Sequence, residues 1–510
     1  MSEFMKRSPL TCNHHNKDLT ELWFNCRDIS VLSQDMKITV SNEVSIQMSP
    51  TVLLVNPPVY DFAVYDLFSK PLGLLYLAGF LRQAGYHVEL IDAMDRHCGD
   101  MAAYQPKGRT KPDGTGKYYS EIIDKPECLR HVGRYYRRYG FPAEVLAKNL
   151  ACKYDEHKPV AVLVGSMMTY WYRAVADTIR LIREVMPDTP VGLGGIYATL
   201  MPDHAFRQCR PDRVFAGYAI NDVCKWLGQL TGIQRVSVDC GHVPQELPAW
   251  PMPAYDLYQQ LDYLAVITSL GCPFRCDYCA SGLLQPNLMQ MPARVFIDQL
   301  QKLLPLLGAG RDCYNVALTD DALLVRASEH IIPILRHTLA MKMPLRFHCP
   351  NGLHCRFITT ELAELMFANK FQMIRLSYEA CDSASHWQQA SDNKVDDKSF
   401  RQAVENLIKA GFQAKQLEAY ILTGLPGQSF DQMYQSAHAV HDIGLQVRLC
   451  QYSPIPGTRL FDLACREYGV DPDEPLLHNN SIMPVLDKRI GCDTFQRFKE
   501  YIAALNNNLT

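Results

Sequence analysis

Three cysteines combine a reactive side chain with a spacing that suits one inorganic centre. Cys272, Cys276 and Cys279 lie in SLGCPFRCDYCAS, a C-x-x-x-C-x-x-C arrangement that lets a single loop wrap three thiolates around one cluster. An iron–sulfur cubane ordinarily takes four cysteine ligands. The fourth is missing from this loop, so a 4Fe–4S cluster held here keeps one iron open for another ligand. The competing reading is zinc, which closes its structural sites with four ligands. HCPNGLHC, with His348, Cys349, His354 and Cys355, is a remote source of such ligands. The other cysteines among the 18 are scattered and form no disulfide framework; a buried free cysteine packs as a small hydrophobe.

The elements around the loop read as two β/α series. TVLLVNPP is a short buried strand, and PLGLLYLAGFLRQAGYHVELIDA follows as helix, turn and strand. VAVLVGS, a helix, VGLGG and RVFAG repeat the theme. Buried strands alternating with helices imply a Rossmann-like, doubly wound parallel sheet. Residues 96–158, rich in charge and aromatics and containing GRYYRRYG, interrupt it as a helix surface or lid. Past a proline-rich linker at 233–258, strands are expected at 265–269, 315–319, 344–348, 372–377, 417–422 and 446–451. Six strand–helix units make a partial (β/α)6 barrel, and the cysteines follow its first strand, where barrel sites form. The fold class is therefore α/β. Its segments are a poorly ordered leader at 1–48, a Rossmann domain at 49–240, the barrel at 241–465 and a helical tail at 466–510.

Bulk properties exclude several partners. The formal charge of −3 gives no basic field for nucleic acid or anionic lipid, and no run of about 18 apolar residues spans a bilayer. The first residues, MSEFMKRSPLTCNHHNKD, contain no signal-peptide core, so a cytoplasmic protein is expected. Cys12, His14 and His15 are read as part of a loose tail.

The C-x-x-x-C-x-aromatic-C pattern, with Tyr278 as the aromatic, resembles the radical S-adenosylmethionine (SAM) superfamily. That resemblance implies that Cys272, Cys276 and Cys279 ligate a 4Fe–4S cluster and that SAM chelates the open iron. Reductive cleavage of SAM to methionine and a 5′-deoxyadenosyl radical then follows, with an electron from a flavodoxin or ferredoxin. Tyr278 is expected beside the adenine. Asp320 and Asp321, in NVALTDDALL, are expected either to accept hydrogen bonds from the SAM ammonium or to cap the next helix. Ser377 and Glu379, in RLSYEACD, are placed at the ribose hydroxyls. Gly424 and Gly427, in GLPGQ, resemble the family's turn along SAM.

The first domain resembles the cobalamin-binding domain that precedes the barrel in one subgroup. VNPP, VGSMMTYWY and GLGGIYATLMPDHA carry this likeness. Ser166, Gly194 and Gly195 are the candidates for holding a phosphate-bearing nucleotide tail. The loop NPPVYDFAVYDLF has no histidine to serve as an axial ligand, and His97, in DRHCG, follows the wrong strand. The resemblance implies a radical SAM enzyme, cobalamin-dependent, that transfers a methyl group. Rival readings are a cobalamin-independent oxidoreductase, a methylthiotransferase-like enzyme, and a non-catalytic cluster or corrinoid carrier. If cobalamin binds, the sheet's strand ends and the barrel mouth must converge on one cavity.

Overall fold

The computed structural model describes residues 49–104, 110–232, 246–381, 392, 395–485 and 492–509, and Ser49–Thr510 form one compact unit. The expected leader at 1–48 and the expected boundary at 240/241 lie outside the described residues.

The apolar run TVLLVN becomes β1, Thr51–Asn56, with residues 52–55 buried completely. After it come β2 (Val59–Asp61), α1 (Leu72–Gln83) and β3 (His87–Asp92). The interrupting segment supplies β4 (Ser120–Ile122), β5 (Arg137–Tyr139) and α2 (Ala143–His157). The series resumes with β6 (Ala161–Val164), α3 (Tyr172–Val185), β7 (Val191–Gly194), α4 (Ile196–Leu200), α5 (Pro202–Cys209), β8 (Arg213–Phe215) and α6 (Ile220–Thr231).

Five strands pair in parallel in the order β3-β1-β6-β7-β8. Counted by appearance the order is 2-1-3-4-5, so it reverses between β1 and β6. Ligands of such sheets sit outside the carboxyl ends near that reversal. Alternation along the strands explains why both faces are covered. Leu53, Val55, Val162 and Val164 pack on one side, and Val52, Leu54, Ala161 and Leu163 on the other.

The segment around GRYYRRYG is not a helix surface. It pairs as the antiparallel sheet β2-β5-β4. The tyrosines favour a pleated, half-buried surface. Arg138 is buried and its Nε donates to the Phe141 carbonyl at 2.7 Å, which removes it from any nucleic-acid surface.

The second series opens with β9 (Tyr263–Val266), β10 (Ser269–Leu270), α7 (Ser281–Leu284), β11 (Met289–Gln290) and α8 (Ala293–Leu303). It continues through β12 (Tyr314–Leu318), α9 (Ile331–Ala340), β13 (Leu345–His348), β14 (Leu353–His354), α10 (Thr360–Ala368) and β15 (Ile374–Glu379). It closes with α11 (Asp397–Ala410), β16 (Leu417–Thr423), α12 (Phe430–His441), β17 (Gln446–Gln451), α13 (Arg459–Tyr468) and α14 (Cys492–Asn507). All strands of β13-β12-β9 and of β14-β15-β16-β17 pair in parallel. β14 follows β13 closely, so the break between the two sheets falls just after the third expected strand. One apolar cluster, including Val316, Phe347, Leu376 and Ile421, underlies both.

The end of the chain is no loose appendage. Phe495, Phe498 and Ile502 of α14 are buried in that same cluster. Asn506 accepts from the Val447 N–H at 2.8 Å and donates to the Val447 carbonyl at 3.0 Å, which closes the free edge of β17.

Candidate functional site

The cysteine loop starts just beyond β9 and β10. Cys276 is buried, Cys272 half-buried and Cys279 exposed. The loop is tied down from several sides. The Cys279 N–H donates to the Cys276 carbonyl at 3.0 Å, and the Leu460 N–H of α13 donates to the Asp277 carbonyl at 2.9 Å. The Ser281 N–H reaches Cys279 Sγ at 3.4 Å. Gly271 has φ +87°, and a Cβ there would stand 2.5 Å from the Asn287 carbonyl oxygen, so only glycine fits before Cys272.

Asp320 forms the floor beneath the loop. Its Oδ1 accepts from the Thr268 N–H at 2.9 Å, the Thr268 hydroxyl at 2.8 Å and the Ser269 hydroxyl at 2.7 Å, and also from the Ser269 N–H. Its Oδ2 is buried and has no hydrogen-bond partner among the described residues. Burial outweighs the four donors and pushes the carboxyl up to about 6. A buried carboxylate oxygen without a partner is costly unless a ligand supplies a donor.

A small cleft, about 40 Å³, opens beside this floor and is lined by Cys272, Phe274, Asp320, Asp321, Asn351 and Ser377, among others. Four of the expected site residues therefore meet there. Two more meet each other: the Tyr278 hydroxyl donates to Glu379 Oε2 at 2.7 Å. Glu379 has φ +68°, and the pairing of β15 shifts register between Ser377 and Glu379. This local bulge re-aims the carboxylate toward the cysteine loop. Gly352, which the motifs did not single out, also shapes the cleft; a Cβ there would lie 2.2 Å from Ser377 Oγ. Gly424 and Gly427, at φ +77° and +87°, shape the turn after β16 and are not among the residues lining the cleft. Gln428 holds that turn, donating to the Leu422 carbonyl at 2.9 Å and accepting from the Leu425 N–H at 3.2 Å.

The residues of HCPNGLHC turn to different partners. His348 Nε2 meets Asn315 at 3.0 Å, Cys355 Sγ meets the Ser377 carbonyl at 3.4 Å, and His354 packs against Phe274 with ring centroids 4.7 Å apart.

At the parallel sheet, Ser166 is stitched to its neighbours. Its hydroxyl donates to the Gly194 carbonyl at 2.6 Å and accepts from the Ala198 N–H at 3.3 Å. Gly195 has φ +103°, and a Cβ there would stand 2.1 Å from the Ser166 carbonyl oxygen; at Gly194 the nearest atom would be 3.6 Å away. Beyond the ends of β6, β7 and β8 lies an apolar surface. Met167 is 44% exposed, Met168 41%, Ile196 37% and Tyr218 42%. His97 bonds Asp262 at 2.7 Å, where the second series begins.

Residues 475–482 join the two series. The Ser453 hydroxyl, just past β17, donates to the His478 carbonyl at 2.5 Å. His478 Nδ1 lies 3.2 Å from Thr169 Oγ1, beyond the end of β6. Asn479 Nδ2 donates at 3.0 Å to Asp61, beyond β1. Leu476 and Ile482 pack with Tyr60, Phe62 and Tyr136. This strap links the end of β2 and the turn after β6 to the residues just past β17. Burial lowers the His478 imidazole to about 4, so it packs there uncharged at neutral pH.

No family model matches the chain. The cytidylyl-2-hydroxyethylphosphonate methyltransferase of Streptomyces wedmorensis is 21% identical over 493 residues, covering 83% of each chain. Two structures of the radical S-adenosylmethionine methyltransferase TsrM from Kitasatospora setae are also similar, each at 16% identity over 83% of this chain. One, with tryptophan substrate and the SAM analogue aza-SAM, has a TM-score of 0.57 over 77% of its own chain. The other, with cobalamin and a [4Fe–4S] cluster, has a TM-score of 0.56 over 76%. These relatives bear out the resemblance carried by the cysteine motif and the first domain, and the two structures establish a shared mixed α/β fold.

Proposed function

We propose that this chain is a cobalamin-dependent radical SAM methyltransferase, built from a Rossmann-like domain at 49–240 and a partial (β/α)6 barrel at 241–465, with 466–510 closing the barrel and strapping it to the sheet. The observation that carries the reading is the buried, unpartnered oxygen of Asp320 in the cleft that Cys272 lines. Three cysteines on one loop fit a cluster with one open iron. An ammonium group is the donor that Asp320 lacks, and SAM carries one.

When bound, the cluster supplies the electron that cleaves SAM, and cobalamin supplies a methyl carrier. The chain's own residues do the rest. Cys272, Cys276 and Cys279 hold the cluster, and Asp320 orients the SAM amino group. Tyr278 and Glu379 lie locked together on the adenosine side, with Ser377 near the ribose. Asp321, exposed at the rim, lines the same cleft. The apolar surface of Met167, Met168, Ile196 and Tyr218 fits a large flat ligand laid over the sheet's strand ends. Ser166 and Gly195 hold those ends in shape, and Gly194 leaves room for close approach. A flavodoxin- or ferredoxin-type reductant and a cytoplasmic setting complete the proposal; among the described residues no helix is long and apolar enough to cross a membrane.

The test is anaerobic reconstitution with iron, sulfide, cobalamin and SAM. Formation of 5′-deoxyadenosine and a bound corrinoid spectrum support the proposal. SAM cleavage without corrinoid at any loading would leave a radical SAM enzyme whose first domain keeps the fold alone.

A further inference from the structure

At the opposite end of the parallel sheet, the geometry points to a second metal centre, a divalent-cation site of the zinc class built from His87, Glu89 and His157. It stands apart from the cysteine loop, whichever reaction that loop serves. His87 opens β3, and Glu89 lies two residues on, so both side chains project from one face of the sheet's edge strand. His157 is the last residue of α2, which returns the chain to the same spot.

Two of the three donor separations fit a metal centre. His87 Nε2 and His157 Nε2 each lie 3.5 Å from the same oxygen, Glu89 Oε1. Such separations are too long for good hydrogen bonds. They match the edge of a tetrahedron with bonds of 2.0–2.1 Å to its centre, roughly 3.3 Å. All three donor atoms lie within 4.8 Å of one another.

Outer contacts orient the donors as ligands require. His87 Nδ1 lies 3.2 Å from Thr51 Oγ1 on β1, which turns Nε2 toward Glu89. Lys153 Nζ donates to Glu89 Oε2 at 2.7 Å, leaving Oε1 as the single ligating oxygen. Glu156 Oε2, 3.5 Å from His157 Nε2 on the solvent side, or a water, takes the fourth position. Two imidazoles and a carboxylate suit zinc better than calcium or magnesium. The ion would staple the end of α2 to the exposed edge strand.

The experiment uses cluster-loaded protein, so that the three cysteines are occupied, and titrates zinc against a chromophoric chelator. About one equivalent should bind with micromolar or tighter affinity and raise the melting temperature. The zinc K-edge absorption should show nitrogen and oxygen neighbours at about 2.0 Å and no sulfur. His157→Ala and Glu89→Gln should each weaken zinc at least about tenfold while iron content and SAM cleavage stay as in the wild type. Three results would overturn the site: no uptake by the wild type at about 100 µM free zinc, equal uptake by wild type and variants, or a sulfur shell at about 2.3 Å. If His157→Ala does not fold, Glu89→Gln decides alone, because it preserves shape and hydrogen bonding while removing the charge.

Discussion

The two strand-end surfaces are built from different materials. Around the cysteines the polar groups are tied, on a wall that also carries Phe274, Leu323 and Leu353: Asp320 gathers four donors, Tyr278 grips Glu379, and backbone bonds pin residues 277 and 279. Over the parallel sheet the ends are stitched by one serine and a glycine pair, and what faces outward is apolar. A polar, preorganised pocket suits a small charged ligand whose every group must be met. An open apolar shelf suits a large ligand held by area. Breaking one region should therefore spare the other.

The largest effect is expected at the cysteines. Cys276→Ala should abolish iron–sulfur absorbance and 5′-deoxyadenosine formation together, while corrinoid uptake persists. Iron analysis and product chromatography check it; an active variant with full iron would remove the cluster assignment.

Gly195→Ala should come next, since it forces a Cβ into the Ser166 carbonyl at a positive φ. It should lower stability by about 2 kcal/mol or more and reduce corrinoid uptake. Gly194→Ala meets nothing closer than 3.6 Å and should leave the fold intact. Gly194→Trp, which covers the shelf, should reduce corrinoid binding but not iron content. Denaturant midpoints and corrinoid titrations of the three variants separate these outcomes.

Asp320→Asn sharpens the polar half. It keeps an acceptor for Thr268 and Ser269 but loses the charge proposed to meet the ammonium. SAM affinity should fall about tenfold to a hundredfold, with iron loading unchanged. Its pH signature has a definite sign. The folded carboxyl sits at about 6 against 3.8 for an ordinary aspartate, so the folded state keeps the proton longer. Wild-type stability should therefore fall as pH rises from about 4 to 6, by up to about 3 kcal/mol from this residue. Without the charge, the variant should lack that decline. Melting of ligand-free protein across this range measures it; equal slopes would mean that the folded Asp320 carboxyl holds its proton no more tightly than the unfolded one.

The smallest effect is expected at the strap. Asn479→Ala leaves buried Asp61 short of one donor and should cost about 1–3 kcal/mol. It should disturb both regions slightly, because residues 475–482 touch each.

Much of this was legible because it is local. Cysteine spacing, apolar runs and strand-terminal glycines are read within a dozen residues, and a strand overlaps each of the six expected positions of the second series. What escaped depends on distant partners. Nothing near Glu379 announces that a bulge will turn it to Tyr278. Asp320 was expected to bind an ammonium or cap a helix, and the sequence did not show that its first oxygen braces Thr268 and Ser269. The tail at 466–510 carried a helical pattern, but the strap lies in irregular backbone whose role comes from Asp61, Thr169 and Ser453, all remote in sequence. GRYYRRYG misled because its charges suggested a surface, whereas Tyr136 and Arg138 are buried.

The most direct test of the whole account is an anaerobic cobalamin titration of iron-loaded protein, followed by SAM and a strong reductant. The account predicts about one corrinoid per chain, methylcobalamin formed from SAM, and 5′-deoxyadenosine formed only while Cys272, Cys276 and Cys279 are intact. Protein that holds its cluster and cleaves SAM but takes up no corrinoid would contradict it.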